Sequence, residues 1–314
     1  MKKISLFILA FIFAFLLSEL FIRYVIQYPY YGLSYKVHYR RGGDYWTNIW
    51  KPYTKYWNVE SGNHIFTRNN LGLPGSDVSL NSPQKIAVLG SSYVEALQVK
   101  PKNIATSIFQ EQLKKRFADI AVFNLGCSGH DPYDSWFRLL YFKKRINFQK
   151  VILILEKDYT DWFSRHPKPF CFQPDNQFGT INNSKTVKLQ TLLRNNFSYF
   201  ALLANGTKGK TNNSEKEIPN SANKNTLEVS QELLSCLKQF DSIYENDFIL
   251  ISITEDQDFN HDLDTLCRQN GINYISCPLL DKELQLHGNG HLNELGNQRL
   301  GQALINTYLK FYPD

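Results

Sequence analysis

A chain of 314 residues, 43% hydrophobic and 20% charged, carries enough apolar side chains for one large domain or two small ones. Its net charge of +6 comes from lysines scattered among asparagines, with no basic helix, zinc-ligand spacing or aromatic RNA motif, which argues against a nucleic-acid partner. The five cysteines, Cys127, Cys171, Cys236, Cys267 and Cys277, form no CxxC pair and are odd in number, so no structural zinc site is expected. No other metal or cofactor is expected either.

The N-terminus carries the clearest regional signal. Lys2 and Lys3 precede an uncharged run over residues 4–18, and the apolar character continues through Ile22 and Ile26. With Glu19 included, the run reaches the roughly 20 apolar residues that a membrane span needs. Glu19 and Arg23 are four apart and can pair on one helix face near the interface. No small-x-small site follows the run; the residues there are Ser-Glu-Leu-Phe. An uncleaved anchor over 1–27 is therefore expected ahead of a cleaved signal peptide. Arg23, Lys36, Arg40 and Arg41 on the far side offset Lys2 and Lys3, so the charge rule alone does not set the topology.

Residues 28–80 form an arm rich in Tyr and Trp. It either packs on the main domain or buries its aromatics against the membrane surface. Within it, "YTKYWNV" and "NHIFTRN" predict a small hairpin around the turn-like residues 60–63.

From residue 81 to 314 the pattern is that of a single α/β domain. "KIAVLG" is a short apolar run of strand length, and Ile104, Ile108, Leu113 and Phe117 then recur at helical spacing. "IAVFNLG" is a second strand, and the segment from Pro132 is a helix with proline near its start. "VILILE" is a third strand with no polar residue before its end. Continuous apolar runs alternating with helices predict a parallel sheet covered on both faces. The alternation breaks in an insertion at about 164–226, with a helix near 187–203. A tract rich in Asn, Lys, Ser and Gly at about 205–226 cannot bury a core and is expected to be mobile. Alternation resumes with a helix at 227–240, the strand "DFILISIT", a helix near 262–268, the strand "NYISCPL" and a final helix at 294–311. The expected architecture is a three-layer α/β/α sandwich on about five parallel strands, preceded by a transmembrane helix.

Ligands of open parallel sheets bind outside the carboxyl ends of the strands. Gly90-Ser91-Ser92 ends the first strand, Gly126 to Asp131 the second and Glu156 to Asp161 the third, and His287 and His291 follow the last. A serine, glycine amides and histidines on one edge supply a nucleophile, oxyanion donors and a base for acyl transfer.

These blocks resemble the SGNH (GDSL) hydrolase superfamily in its membrane-anchored bacterial branch, with a flavodoxin-like fold. "IAVLGSSYVEALQV" resembles the first block, "FNLGCSGHDPYD" the second, "VILILEKDYTDWF" the third and "NGHLNELG" the last; "NNLGLPG" resembles a lead-in of that branch. The resemblance implies Ser92 as nucleophile and oxyanion donor, Gly129 as oxyanion glycine and His291 as base. Ser91 replaces the usual Asp of the first block. Lys157 stands where an oxyanion Asn is usual, and reads either as an oxyanion donor or as a lysine paired with Glu156 or Asp161. Asn289 and Gly288 occupy the positions of the usual acid; Asn289 orients His291 through its side-chain carbonyl or marks a weakened site. Asp281 and Glu294 are substitute acids to weigh, and His287 and His130 read as loop histidines.

The resemblance implies an ester hydrolase or O-acetyl transferase acting on envelope or exported polysaccharide. Its expected partners are a glycan or acyl ester, the membrane through the N-terminal helix, and polysaccharide-export or envelope proteins. The expected location is the extracytoplasmic side of a bacterial membrane. The alternative is a catalytically silent member that binds glycan or scaffolds an envelope assembly.

Overall fold

The computed structural model describes residues 2–24, 34–39, 46–58, 64–117, 119–156, 178–180, 226–286 and 290–313. The chain opens with helix α1 (Lys2–Tyr24). Its segment Lys3–Ile22 is long and apolar enough to cross a membrane. Phe7, Phe11 and Phe13 on it are exposed to more than 60%, which water does not favour. Glu19 and Ile22, one turn apart near its end, are buried.

Strands β1 (Ser34–Tyr39) and β2 (Trp46–Trp50) pair antiparallel. Strands β3 (Lys55–Asn58) and β4 (His64–Thr67) form the hairpin expected from the 60–63 turn, with Lys55 opposite Thr67. The main sheet then begins with β5 (Gln84–Leu89), followed by a single helical turn, α2 (Ser92–Glu95), and by α3 (Ala105–Lys114). Next come β6 (Ile120–Asn124), α4 (Pro132–Lys143) and β7 (Lys150–Leu155). Strand β8 (Phe178–Thr180) pairs with β1, so the insertion and the arm share a three-stranded sheet in the order β2-β1-β8. The remainder is α5 (Thr226–Tyr244), β9 (Phe248–Ser252), α6 (Gln257–Gln269), β10 (Asn273–Ser276) and α7 (Glu294–Phe311).

The five main strands are parallel, in the order β10-β9-β7-β5-β6. Buried on both faces, they read as unbroken apolar runs. Ala87, Leu89, Val151 and Leu153 face one side, against Phe137 of α4, Leu237 of α5 and Leu263 of α6. Ile86, Val88, Ile152 and Ile154 face the other, against Phe109 of α3 and Leu300 and Leu304 of α7. This is the expected three-layer sandwich. Phe109, absent from the stripe read at 104, 108, 113 and 117, is fully buried, whereas Ile108 is only half-buried and packs against Gly301 of α7. Asn297 is fully buried and ties the two helices together: its Oδ1 accepts the Ala105 amide at 3.2 Å, and its Nδ2 donates to Leu292 and Asn293 carbonyls.

The chain leaves β5 toward β6 on one side and later returns to β7 on the other. The order therefore reverses at β5, which opens a crevice beyond its carboxyl end. Ser92 stands there. The helix expected near 187–203 and the tract at about 205–226 lie outside the described residues.

Candidate active site

Strand β5 ends at Leu89, and Ser91 caps the turn of α2: its hydroxyl accepts the Tyr93 amide. Ser92 is thus the first helical residue rather than the cap. The turn stops at Ala96 in the left-handed conformation (φ 51°), so α2 has no length beyond the residues it presents. The carboxyl end of β6 is fastened alongside. Leu125 donates its amide to Val88 O at 2.8 Å and Cys127 to Gly90 O at 3.0 Å, so the ladder runs on past both strands. Asn124 is buried and bolts the two ends together. Its Nδ2 donates to Val94 O at 2.7 Å, and its Oδ1 accepts the Gly126 amide at 2.9 Å.

His291 comes from the loop before α7. Its Nε2 lies 2.9 Å from Ser92 Oγ, a hydrogen bond between residues 199 apart in sequence. Several hydrogen bonds hold that loop. The Tyr93 hydroxyl donates to Gly290 O at 2.9 Å, Gln98 Nε2 to Leu292 O at 3.0 Å, and the Leu286 amide to His291 O at 2.7 Å. The Tyr93 ring lies 5.7 Å from the imidazole. Burial raises the Tyr93 phenol above its ordinary pKa, and the carboxylate of Glu156, at the end of β7, pushes it further the same way. The phenol therefore stays a donor to Gly290, and the ends of three strands meet around Ser92.

Gly129 sits at the apex of a turn closed by the His130 amide on Cys127 O at 3.1 Å. Its φ of +78° suits glycine at the third position of a type II turn. A Cβ built there meets nothing within 4 Å, so space opens in front of this residue. Among the described residues, neither the Ser92 nor the Gly129 amide donates a hydrogen bond.

Two charged residues behind this turn are not apparent in the sequence pattern. Glu95, the last residue of α2, is buried, and its Oε1 accepts from Arg68 Nη2 at 2.7 Å. Its Oε2 accepts both the amide (2.7 Å) and the hydroxyl (2.6 Å) of Ser128. Burial alone would raise the Glu95 pKa, but the Arg68 charge and the hydrogen bonds from Arg68 and Ser128 outweigh it and hold the carboxyl below its ordinary range.

Ser92, Gly129 and His291 thus gather at one edge. Lys157, Asn289 and His287 lie outside the described residues. The substitute acids are engaged elsewhere. Glu294 accepts from Asn103 at 2.8 Å, and Asp281 caps a short 3₁₀ turn through the Glu283 amide. His130 is buried, and its backbone closes the turn. Among the described residues no cluster of three metal-binding side chains occurs.

No protein-family model matches the chain, and no curated protein matches it. Solved structures similar to it include TesA, at 12% identity over 73% of this chain and 99% of that one, with a TM-score of 0.44. The psychrotrophic esterase EstA from Pseudoalteromonas sp. is 10% identical over 74% and 100%, with a TM-score of 0.45. A member of the lipolytic G-D-S-L family from Veillonella parvula is 10% identical over 73% and 98%, with a TM-score of 0.38. At this identity, what the site can do rests on its own atoms.

Proposed function

We propose that the chain is a serine-dependent ester hydrolase or O-acyl transferase. The 2.9 Å contact between Ser92 Oγ and His291 Nε2 is the observation that carries this reading. His291 Nε2 takes the Ser92 proton as Oγ bonds to the acyl carbon, and the carbonyl electron pair moves onto oxygen. The amides of Ser92 and Gly129 receive that oxyanion. Collapse re-forms the carbonyl and expels the alcohol, which takes the proton from His291. Water or a sugar hydroxyl then repeats the steps in reverse, giving free acid or a new ester. Lys157 is proposed to flank the oxyanion, and Asn289 to orient the His291 ring.

In this reading residues 1–27 anchor the protein, 28–80 form an arm and 81–314 carry the site on the extracytoplasmic side. The substrate class, an O-acetylated envelope or exported polysaccharide, follows the family that the sequence blocks resemble. A second reading is a silent glycan-binding protein, favoured by Lys157 and Asn289 where an Asn and an acid are usual. A fluorophosphonate decides between them. Covalent labelling of the wild type, lost in Ser92→Ala and in His291→Ala together with p-nitrophenyl acetate hydrolysis, supports the enzyme. An unlabelled wild type leaves the silent reading.

A further inference from the structure

Glu95 is one helical turn beyond Ser92 and two-sided. One oxygen takes the Arg68 guanidinium; the other takes the Ser128 amide and hydroxyl, with all three bonds between 2.6 and 2.7 Å. Arg68 follows the β3–β4 hairpin of the arm, is wholly buried, and lies 3.5 Å from the centroid of the Trp50 ring at the end of β2. Arg138 of α4 is a second buried guanidinium on the same ring, at 6.0 Å.

A buried ion pair is weak evidence of stability, because taking both charges out of water consumes most of their attraction. A role in position explains this pair better. The carboxylate grips Ser128, and Ser128 shares a peptide plane with the Gly129 amide. With the Ser128 amide held by Glu95 and the Cys127–His130 bond closing the turn, the direction of the Gly129 N–H is set. Ser128 and Gly129 are both exposed, so apolar packing does not fix them. A bare carboxylate so close to the turn would also repel a developing oxyanion; Arg68 neutralises it.

We propose that Glu95 and Arg68 are positioning residues for the oxyanion turn, and that the aromatic arm takes part in the reaction through Arg68. The proposal rests on the acyl-transfer reading of Ser92. It makes the arm a functional part of the site rather than a spacer between the membrane and the domain.

The test uses the full chain in detergent, p-nitrophenyl acetate as substrate, and a fluorophosphonate titrated to completion to count competent sites. Per titrated site, Glu95→Gln and Arg68→Met are expected to lower kcat about 100-fold, the loss that goes with a misplaced group of roughly 1 Å, with KM within about twofold. Ser128→Ala, which removes one bond from an exposed residue and leaves the fold, is expected to lower kcat about tenfold, with Ser128→Thr restoring it. Arg68→Lys regains part of what Arg68→Met loses. An unchanged kcat per titrated site in Glu95→Gln and Ser128→Ala, with only thermal stability reduced, overturns the proposal. If Glu95→Gln fails to fold, the Ser128 pair decides. A loss in Glu95→Gln without one in Arg68→Met removes the arm from the mechanism. Failure of the underlying reading shows separately, as a wild type that is neither labelled nor active.

Discussion

Replacing Gly126 with alanine tests how firmly the end of β6 holds the serine turn. A Cβ at Gly126 would lie 2.4 Å from Glu95 N, 2.7 Å from Val94 C and 2.8 Å from Val94 Cβ. Two of these atoms are the main chain of α2, so no rotamer change relieves the contact. The turn must retreat by about 1 Å to reach ordinary van der Waals distance, against the Asn124 bonds to Val94 and Gly126. Overpacking costs about 1–3 kcal/mol, and a main-chain clash belongs at the upper end. For a domain of this size, 3 kcal/mol is a fall of roughly 6–12 °C in apparent Tm. Because α2 carries Ser92, the same retreat spoils the approach of His291 and costs about 100-fold in ester turnover. Differential scanning fluorimetry and p-nitrophenyl acetate hydrolysis read the two effects. Gly271→Ala is the control, since Gly271 has a φ of +72° and an open surrounding, and precedes the amino end of β10, whereas the site lies at the carboxyl ends of the strands. It is expected to cost about 1–2 kcal/mol with no change in rate. A Gly126→Ala protein as stable and active as the wild type would refute the tight coupling of β6 to the serine turn.

Gly129→Ala is expected to cost as much stability as Gly271→Ala, since both glycines have φ above +70° in open space, yet to reduce turnover as well; equal turnover in the two variants would remove Gly129 from the site. The Glu95 carboxyl is held below its ordinary value of 4.5, so its contribution to stability is complete above that pH and is lost as pH falls below it. The acid limb of a Tm–pH profile is expected to be steeper in the wild type than in Glu95→Gln. Cys267, pushed up to about 12 first by burial and then by Asp264, is about one part in ten thousand thiolate at pH 8 and is expected to resist iodoacetamide until the protein unfolds. Peptide mapping of the alkylated native protein checks this. Asn289→Asp, which would supply the acid of a serine triad, is expected to speed ester hydrolysis; an unchanged rate would mean that His291 is oriented by another group.

The main sheet was legible because parallel strands buried on both faces leave unbroken apolar runs, as in "VILIL" and "FILIS". The hairpin was legible through its turn residues. Ser92 and His291 could be marked because strand ends concentrate chemistry, although nothing in their spacing gives the 2.9 Å between them. The pairing of β8 with β1 joins residues about 140 positions apart, and pairing of that range leaves no local pattern. The turn α2 is too short for periodicity. Arg68 and Glu95 are of types that usually face solvent, and their burial follows from each other rather than from their neighbours in sequence. Of the cysteines, Cys127, Cys236 and Cys267 are buried and Cys277 is half-buried.

The 199-position separation of Ser92 and His291 also fixes a time. During synthesis the serine turn leaves the ribosome long before the histidine loop exists. In the acyl-transfer reading, the hydroxyl throughout that interval has no imidazole to take its proton. In the reading proposed here, activity begins only when α7 docks on α3 and brings the histidine loop to the sheet edge. On that reading the order of residues along the chain acts as a safety catch, silent in transit and released by the completion of folding.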